Sequence, residues 1–340
     1  MADVSVDGGG VTTVLFLWVV PQHLRNYLAT GLSGYPVRLV FPESVEAEEH
    51  LRLAEDAEVM VGWRPTPELL RAATRLRLFI NPGAGVQHLI EMFRALERAV
   101  PLVNCHGNSY FAAQHAVALL LTLTNRVIPH HEWMSRGRWR TGDAEAASIP
   151  LRGRTIGLLG YGAINRKVHA MLSGFDVRFV VMRRSGGDAP AGDRVFGPYE
   201  LHEFLRACDV LMIAVPLTNA TSGMIGAEEL DLLGHTGLLV NVGRGEVVQE
   251  EPLYIALRDG VIAGAAIDVW YEYQPAEAAD GRRHPYHFPF HELSNVVLSP
   301  HRAASPLDDL ARWDEVIENL RLASGGRTDF INLVDLEAGY

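Results

Sequence analysis

An α/β fold with two parallel sheets, each covered by helices, is what this sequence predicts. Three observations carry the expectation. The first hundred residues alternate short apolar runs with helical stretches. A second alternating series, with six apolar runs, begins at Arg154. At the first strand-to-helix junction of that series stands a glycine turn, Gly160-Tyr161-Gly162-Ala163-Ile164.

In the first series the strand candidates are Val14–Val20, Val37–Phe41, Val59–Val61, Leu78–Ile80 and Leu102–Asn104. Helical stretches such as Glu46–Ala54 and Pro67–Thr74 lie between them, the order expected of a parallel sheet. A long apolar helix follows from Phe111 to about Arg126, with Asn108 or Ser109 available as N-cap. Arg136 to Pro150 reads as a surface connection. The second series offers strands at Thr155–Leu159, Val177–Met182, Val210–Ala214, Leu238–Asn241, Gly264–Asp268 and Asn295–Leu298. Six strands with intervening helices match a doubly wound sheet. Pro306 to Ala323 reads as a closing helix. The irregular stretch Tyr271 to Glu292 is long for a loop inside a compact unit, which marks it as functional or mobile.

The chain has 340 residues, enough for two domains with separate cores. Its formal net charge of −11 argues against nucleic acid or an anionic membrane as partner. An anionic ligand therefore needs a local basic cluster. Two cysteines, Cys105 and Cys208, provide neither a disulfide framework nor zinc-ligand spacing, so no metal centre and a reducing cytoplasm are expected. The apolar run Val14–Val20 is too short to cross a bilayer and lacks the flanks of a signal peptide.

The glycine turn has a direct physical reading. Gly160 permits a tight turn, and Gly162 lets the backbone approach a pyrophosphate. The N–H groups and dipole at the start of the following helix attract the phosphates. Strand, turn, helix and strand fall within about 30 residues, the setting of a dinucleotide fingerprint, although Asn165 stands where its third glycine belongs. At the end of the next strand an NAD-binding chain carries Asp or Glu for the ribose hydroxyls. Here the residues are Arg183, Arg184 and Ser185, which suit a 2′-phosphate. NADP(H) is the expected cofactor, with NAD(H) as second choice.

Seven segments, in order, resemble the D-isomer-specific 2-hydroxyacid dehydrogenase family, which includes formate, phosphite and phosphoglycerate dehydrogenases. They are Asn81-Pro-Gly-Ala-Gly-Val, Gly107-Asn108-Ser109, the glycine turn, Val215-Pro216-Leu217-Thr218, Asn241-Val-Gly-Arg244-Gly245, Ala266-Ile-Asp268-Val-Trp270 and Ser299-Pro-His301. The resemblance implies that Arg244 grips the substrate carboxylate and polarises its carbonyl, a task suited to a planar guanidinium. It implies that His301 exchanges a proton with the reacting oxygen, as imidazole can near neutral pH. The family usually supports that histidine with a glutamate; Glu272 and Gln274 are both candidates here, Gln274 being favoured by the following Pro275. Ala84 and Gly85 match a loop whose N–H groups hold the carboxylate, and Asn108 a position lining the cleft. Cofactor contacts are implied for Gly160, Gly162, Ala163, Ile164, Val215, Pro216, Thr221, Val242, Gly243 and Asp268, the last at the nicotinamide carboxamide.

The resulting expectation is an α/β chain of two Rossmann-like lobes. Residues 1–107 plus 303–340 form a discontinuous flavodoxin-like substrate domain. Residues 108–302 form a doubly wound, parallel-sheet nucleotide-binding domain, and substrate and nicotinamide meet in the cleft. The expected activity is reversible hydride transfer between NADP(H) and a small 2-oxo or D-2-hydroxy acid, with a carboxylate as the small-molecule partner. Formate- or phosphite-type oxidation, and a nucleotide-sensing corepressor, are the alternatives. A homodimer is implied by the resemblance.

Overall fold

Two all-parallel sheets organise the chain, one of five strands and one of seven. The computed structural model describes residues 10–140, 146–184, 192–304 and 309–340. The chain divides into two compact units, Met1–Asn108 with Pro306–Tyr340, and Ser109–Ser305.

The first unit opens as β1 (Thr12–Phe16), α1 (Gln22–Gly31), β2 (Val37–Val40), α2 (Ala47–Ala54) and β3 (Val59–Val61). It continues as α3 (Pro67–Ala72), β4 (Leu78–Asn81), α4 (Gln87–Arg94) and β5 (Leu102–Asn104). The sheet order β2-β1-β3-β4-β5 is the flavodoxin-like arrangement. β1, β3, β4 and β5 are buried throughout, as parallel strands covered on both faces must be. β1 stops at Phe16, short of the expected Val20. Trp18 instead joins an aromatic cluster beyond the strand, and Pro21 caps α1.

The second unit begins with α5 (Ser109–Thr124) and α6 (Val127–Ser135). The expected helix is present as α5 and ends at Thr124; α6, which was not expected, departs from it at 63° after Arg126, which adopts φ +51. No single described helix is long and apolar enough to cross a membrane; α5 is apolar because it covers the second sheet and α7 (Ala163–Leu172). β6 (Thr155–Leu159) precedes α7. Then come β7 (Arg178–Met182), β8 (Arg194–Phe196), α8 (Leu201–Arg206), β9 (Val210–Ile213), α9 (Ala227–Leu233), β10 (Leu238–Asn241), α10 (Glu250–Arg258), β11 (Gly264–Ile267) and β12 (Val296–Leu298). The order β12-β11-β10-β9-β6-β7-β8 reverses direction between β6 and β9. In open α/β sheets ligands bind outside the carboxyl ends of the strands at that switch point. The seventh strand, β8, was not expected. It is three residues long and carries Arg194 and Val195 on the surface, so only its pairing with β7 reveals it.

The chain returns to the first unit with a 3-10 turn, Ala311–Trp313, and α11 (Asp314–Ser324). This helix starts eight positions later than Pro306, and 306–308 lie outside the described residues. Val316, Ile317, Leu320 and Ala323 of α11 complete the core around Val14, Leu28 and Val103. That long-range burial makes the first unit discontinuous in sequence.

Candidate active site

The glycine turn sits on the carboxyl end of β6, at the switch point. Gly160 adopts φ +81, and a Cβ there would lie 2.7 Å from Val215 Cγ1. Glycine is required on both counts. Gly162 caps α7 without a side-chain hydrogen bond and has open space where a Cβ would be. Ala163 and Ile164 form the first turn of that helix, so its leading N–H groups remain for an anion. Asn165 is only 1% exposed, and its Nδ2 donates to the carbonyls of Gly160 (2.7 Å), Met212 (3.1 Å) and Leu159 (3.2 Å). The side chain that breaks the fingerprint therefore fastens the turn to β6 and β9.

Arg183 and Arg184 follow β7, the neighbour of β6, with Arg183 half-buried and Arg184 exposed. Burial and the Asp193 charge raise the pKa of the Tyr161 hydroxyl in the glycine turn, against the smaller opposing pulls of Arg166 and Arg183. Ser185 lies outside the described residues. Beyond β9, Thr221 ties the loop that carries Val215 and Pro216: its hydroxyl donates to Pro216 O (2.6 Å) and accepts from Thr218 N (2.9 Å).

Arg244 follows β10 in an extended conformation, and Asn241 shapes its turn. Asn241 Oδ1 accepts from Gly243 N (3.0 Å) and Nδ2 donates to Arg244 O (2.9 Å). Val242 is buried, and Gly245 passes so close to the Trp270 carbonyl that no Cβ fits. The half-buried Arg244 side chain has one bond within its own segment, Nη1 to Gly243 O at 2.6 Å.

His301 follows β12 at φ +56, in the left-handed region. Its loop is clamped from below by Asp268, which is 1% exposed. The Asp268 carboxylate accepts from Ser299 Oγ (2.5 Å), Arg302 N (2.7 Å) and Ala303 N (3.0 Å). His115 Nε2 lies 2.9 Å from Ser299 Oγ, and Trp270 Nε1 donates to Ser299 O at 2.8 Å. The ring of Tyr273 meets that of His301 edge to face, centroids 5.2 Å apart. Desolvation pushes the His301 pKa below the ordinary histidine value. The charges of Arg244 and Arg302 push it further down, against the opposing pull of Asp268. Arg244 and His301 thus share one electrostatic environment.

Neither Glu272 nor Gln274 hydrogen-bonds to His301 among the described residues. Glu272 Oε2 instead lies 3.9 Å from His287 Nε2, and His287 Nδ1 is 2.8 Å from Glu250. Gln274 is exposed. Sequence reasoning also missed Asn165, Ser299, His115 and Tyr273, whose roles come from contacts far along the chain.

In the first unit, Ala84 and Gly85 lie in the turn after β4. Asn81 Nδ2 donates to Gly83 O (2.5 Å) and Gly85 O (3.2 Å), and Asn104 Nδ2 to Ala84 O (2.7 Å). All three carbonyls are thereby taken, and the N–H groups of 83–85 have no described backbone acceptor. Such a turn forms an anion-binding concavity. Asn108 carries a buried Oδ1 with no hydrogen-bond partner among the described residues.

Switch-point geometry, an open helix N-terminus after a tight glycine turn, and an arginine and a histidine beyond the carboxyl ends of β10 and β12, the two strands flanking β11, define a dinucleotide-dependent oxidoreductase. The family model of the D-isomer specific 2-hydroxyacid dehydrogenase NAD binding domain matches residues 117–303. The glyoxylate reductase of Thermococcus kodakarensis is 34% identical over 281 residues, covering 77% of this chain and 79% of that protein. The formate dehydrogenase of Chaetomium thermophilum is 29% identical over 307 residues, 87% and 81% of the two chains. A D-isomer specific 2-hydroxyacid dehydrogenase from Xanthobacter autotrophicus, solved with NADPH and MES, superposes with a TM-score of 0.78 at 25% identity, covering 97% of this chain and 100% of that one. The chain belongs to the D-isomer-specific 2-hydroxyacid dehydrogenase family. It is an NAD(P)-dependent oxidoreductase of small 2-oxo and 2-hydroxy acids, as the sequence predicted.

Proposed function

We propose that this chain reduces a 2-oxo acid to the D-2-hydroxy acid with NADPH, and runs the reverse oxidation with NADP+. The observation that carries the reading is the placement of Arg244 and His301 beyond the carboxyl ends of β10 and β12 on either side of β11, with the Arg244 charge acting on the imidazole. The bound nicotinamide supplies or accepts the hydride at the substrate carbon. Gly160, Gly162, Ala163 and Ile164 hold the pyrophosphate at the start of α7. Arg183 and Arg184 bind the 2′-phosphate, supported by the NADPH in the Xanthobacter relative. Val215, Pro216, Thr221, Val242 and Gly243 line the remaining cofactor path.

Arg244 binds the substrate carboxylate and polarises the carbonyl oxygen, where negative charge grows in the transition state. The protonated His301 imidazole gives its proton to that oxygen. The N–H groups of Ala84 and Gly85 hold the carboxylate, and Asn108 offers an acceptor to the substrate. Asp268 serves as the clamp of the His301 loop and reaches the carboxamide through the lone pair left on Oδ2. Gln274 or Glu272 approaches His301 only when ligand is bound. The chain works as a cytoplasmic homodimer. The deciding experiment is NADPH oxidation against glyoxylate, hydroxypyruvate, pyruvate and phenylpyruvate. Absence of turnover with all of them, alongside NADP+ reduction by formate, would replace this reading with the formate-type one that Gln274-Pro275 favours.

A further inference from the structure

Three indoles stand together beside the proposed carboxylate loop of the first unit. Trp18 follows β1, Trp63 follows β3, and Trp313 ends the 3-10 turn before α11. All strands of this sheet are parallel, so Trp18, Trp63 and the 83–85 turn share its carboxyl edge. The Trp18 ring centroid lies 4.8 Å from that of Trp63 and 5.6 Å from that of Trp313. The Nε1 of Trp63 lies 3.4 Å from where a Gly83 Cβ would stand, so one end of the wall touches the 83–85 turn. At the other end, the Arg312 guanidinium lies 5.2 Å from the Trp313 ring centroid. The Arg312 carbonyl packs against Gly107, beside Asn108, whose buried Oδ1 has no hydrogen-bond partner among the described residues.

This wall is not closed over: Trp63 keeps 37% of its surface exposed and Trp18 is half-buried. Arg312 is also half-buried, yet among the described residues no carboxylate lies within ion-pair distance of it. Burial pushes its pKa down, with no charge among the described residues to oppose the shift. Guanidinium stays protonated in proteins, so among the described residues this desolvated cation has no counter-charge. A ring face compensates only part of that loss.

Resting on the reading of the chain as a 2-oxo acid reductase, we propose that Arg312, Trp18 and Trp63 form the distal subsite for the substrate side chain. The substrate they select is a 2-oxodicarboxylate with a short carbon chain. The 83–85 turn takes the carboxylate beside the carbonyl, the indole wall covers the methylene groups, and Arg312 binds the second carboxylate. An aromatic side chain would use the wall and leave the guanidinium without an anion. Glyoxylate would use neither.

The test compares 2-oxoglutarate with 5-methyl-2-oxohexanoate, in which an uncharged branched end replaces the second carboxylate. In wild type, kcat/KM with NADPH should favour 2-oxoglutarate by at least ~10-fold, the size of one charge-assisted hydrogen bond. Arg312→Gln should bring the ratio near one, and Arg312→Lys should restore part of it. A ratio near one in wild type, or an unchanged ratio in Arg312→Gln, overturns the subsite. A binding measurement covers misfolding of that variant. Tryptophan fluorescence of the wild type with NADP+ should be quenched by 2-oxoglutarate and not by the isostere, with a smaller amplitude in Trp63→Phe. If glyoxylate is reduced but the dicarboxylate has no advantage, the subsite fails and the activity stands. If nothing is reduced but the dicarboxylate alone quenches, the activity fails and the subsite stands. Neither turnover nor selective quenching overturns both.

Discussion

Asp268 positions His301 without touching its ring: the carboxylate accepts the N–H groups of Arg302 and Ala303, the two residues after His301. Ser299, two residues before it, donates to the same carboxylate. One buried charge thereby holds both flanks of a histidine whose backbone is in the left-handed region. Such a conformation persists where the surroundings over-determine it.

Asp268→Asn tests this clamp. The amide presents an NH2 where one backbone N–H now donates, leaving a buried donor unsatisfied at a cost of about 1–3 kcal/mol. Thermal or denaturant unfolding should show the loss. The variant also removes the negative charge that raises the His301 pKa, so the falling limb of the reduction rate should move to lower pH. A limb that stays in place would mean that Asp268 acts on stability alone.

The wild-type pH profile is itself a prediction. Reduction requires protonated His301, and desolvation holds its pKa below the ordinary value of about 6.5. The kcat/KM for reduction should therefore decline already as pH rises toward 6.5, while oxidation, which needs neutral imidazole, should rise over the same range. Gln274→Glu should push the limb upward if that side chain meets His301 in the complex. If Glu272 instead leaves His287 to meet His301 in the complex, Glu272→Gln should move the limb downward and the Gln274 change should do little.

Arg244→Ala should lower kcat as well as raise KM for the oxo acid, because the developing alkoxide loses its positive partner. NADPH affinity should change little. A near-normal kcat would show that Arg244 does not act at the reacting carbonyl.

Cofactor choice should follow Arg183. A hydrogen bond to a charged group contributes roughly 1.5–3 kcal/mol, so the preference for NADPH over NADH should be at least ~10-fold. Arg183→Asp should reverse or abolish it, measured as the ratio of kcat/KM values. Equal use of both cofactors by the wild type would remove the 2′-phosphate role.

Asn165→Gly restores the fingerprint glycine and is expected to harm the protein. The change removes donors to three carbonyls and introduces glycine into α7, the latter alone costing about 1 kcal/mol. Tm should fall and KM for NADPH should rise. Unchanged stability would show that the amide bonds are dispensable.

Much of the fold and part of the site could be read from local signals. Short apolar runs between helical stretches predict strands, and all eleven expected strands are present with ends shifted by a few residues, because buried parallel strands must be apolar throughout. That Gly160, Arg244 and His301 sit at the sheet's carboxyl edge could be read because each comes within three residues of a strand end. Other features arise between residues far apart in sequence, and no local pattern encodes them. β8 exists through pairing with β7, and Asn165 acts through Met212. Asp268 reaches His301's flanks across more than thirty residues. Beside His301 stands the ring of Tyr273, while Glu272 lies by His287. Trp18, Trp63 and Trp313 become one wall only when α11 returns to the first sheet. Periodicity and turn chemistry are properties of neighbouring residues, so the class of fold and the residues at its strand ends are legible in the chain order alone. Which side chains meet there depends on packing and on the pairing of buried charges, and these exist only once the chain has closed.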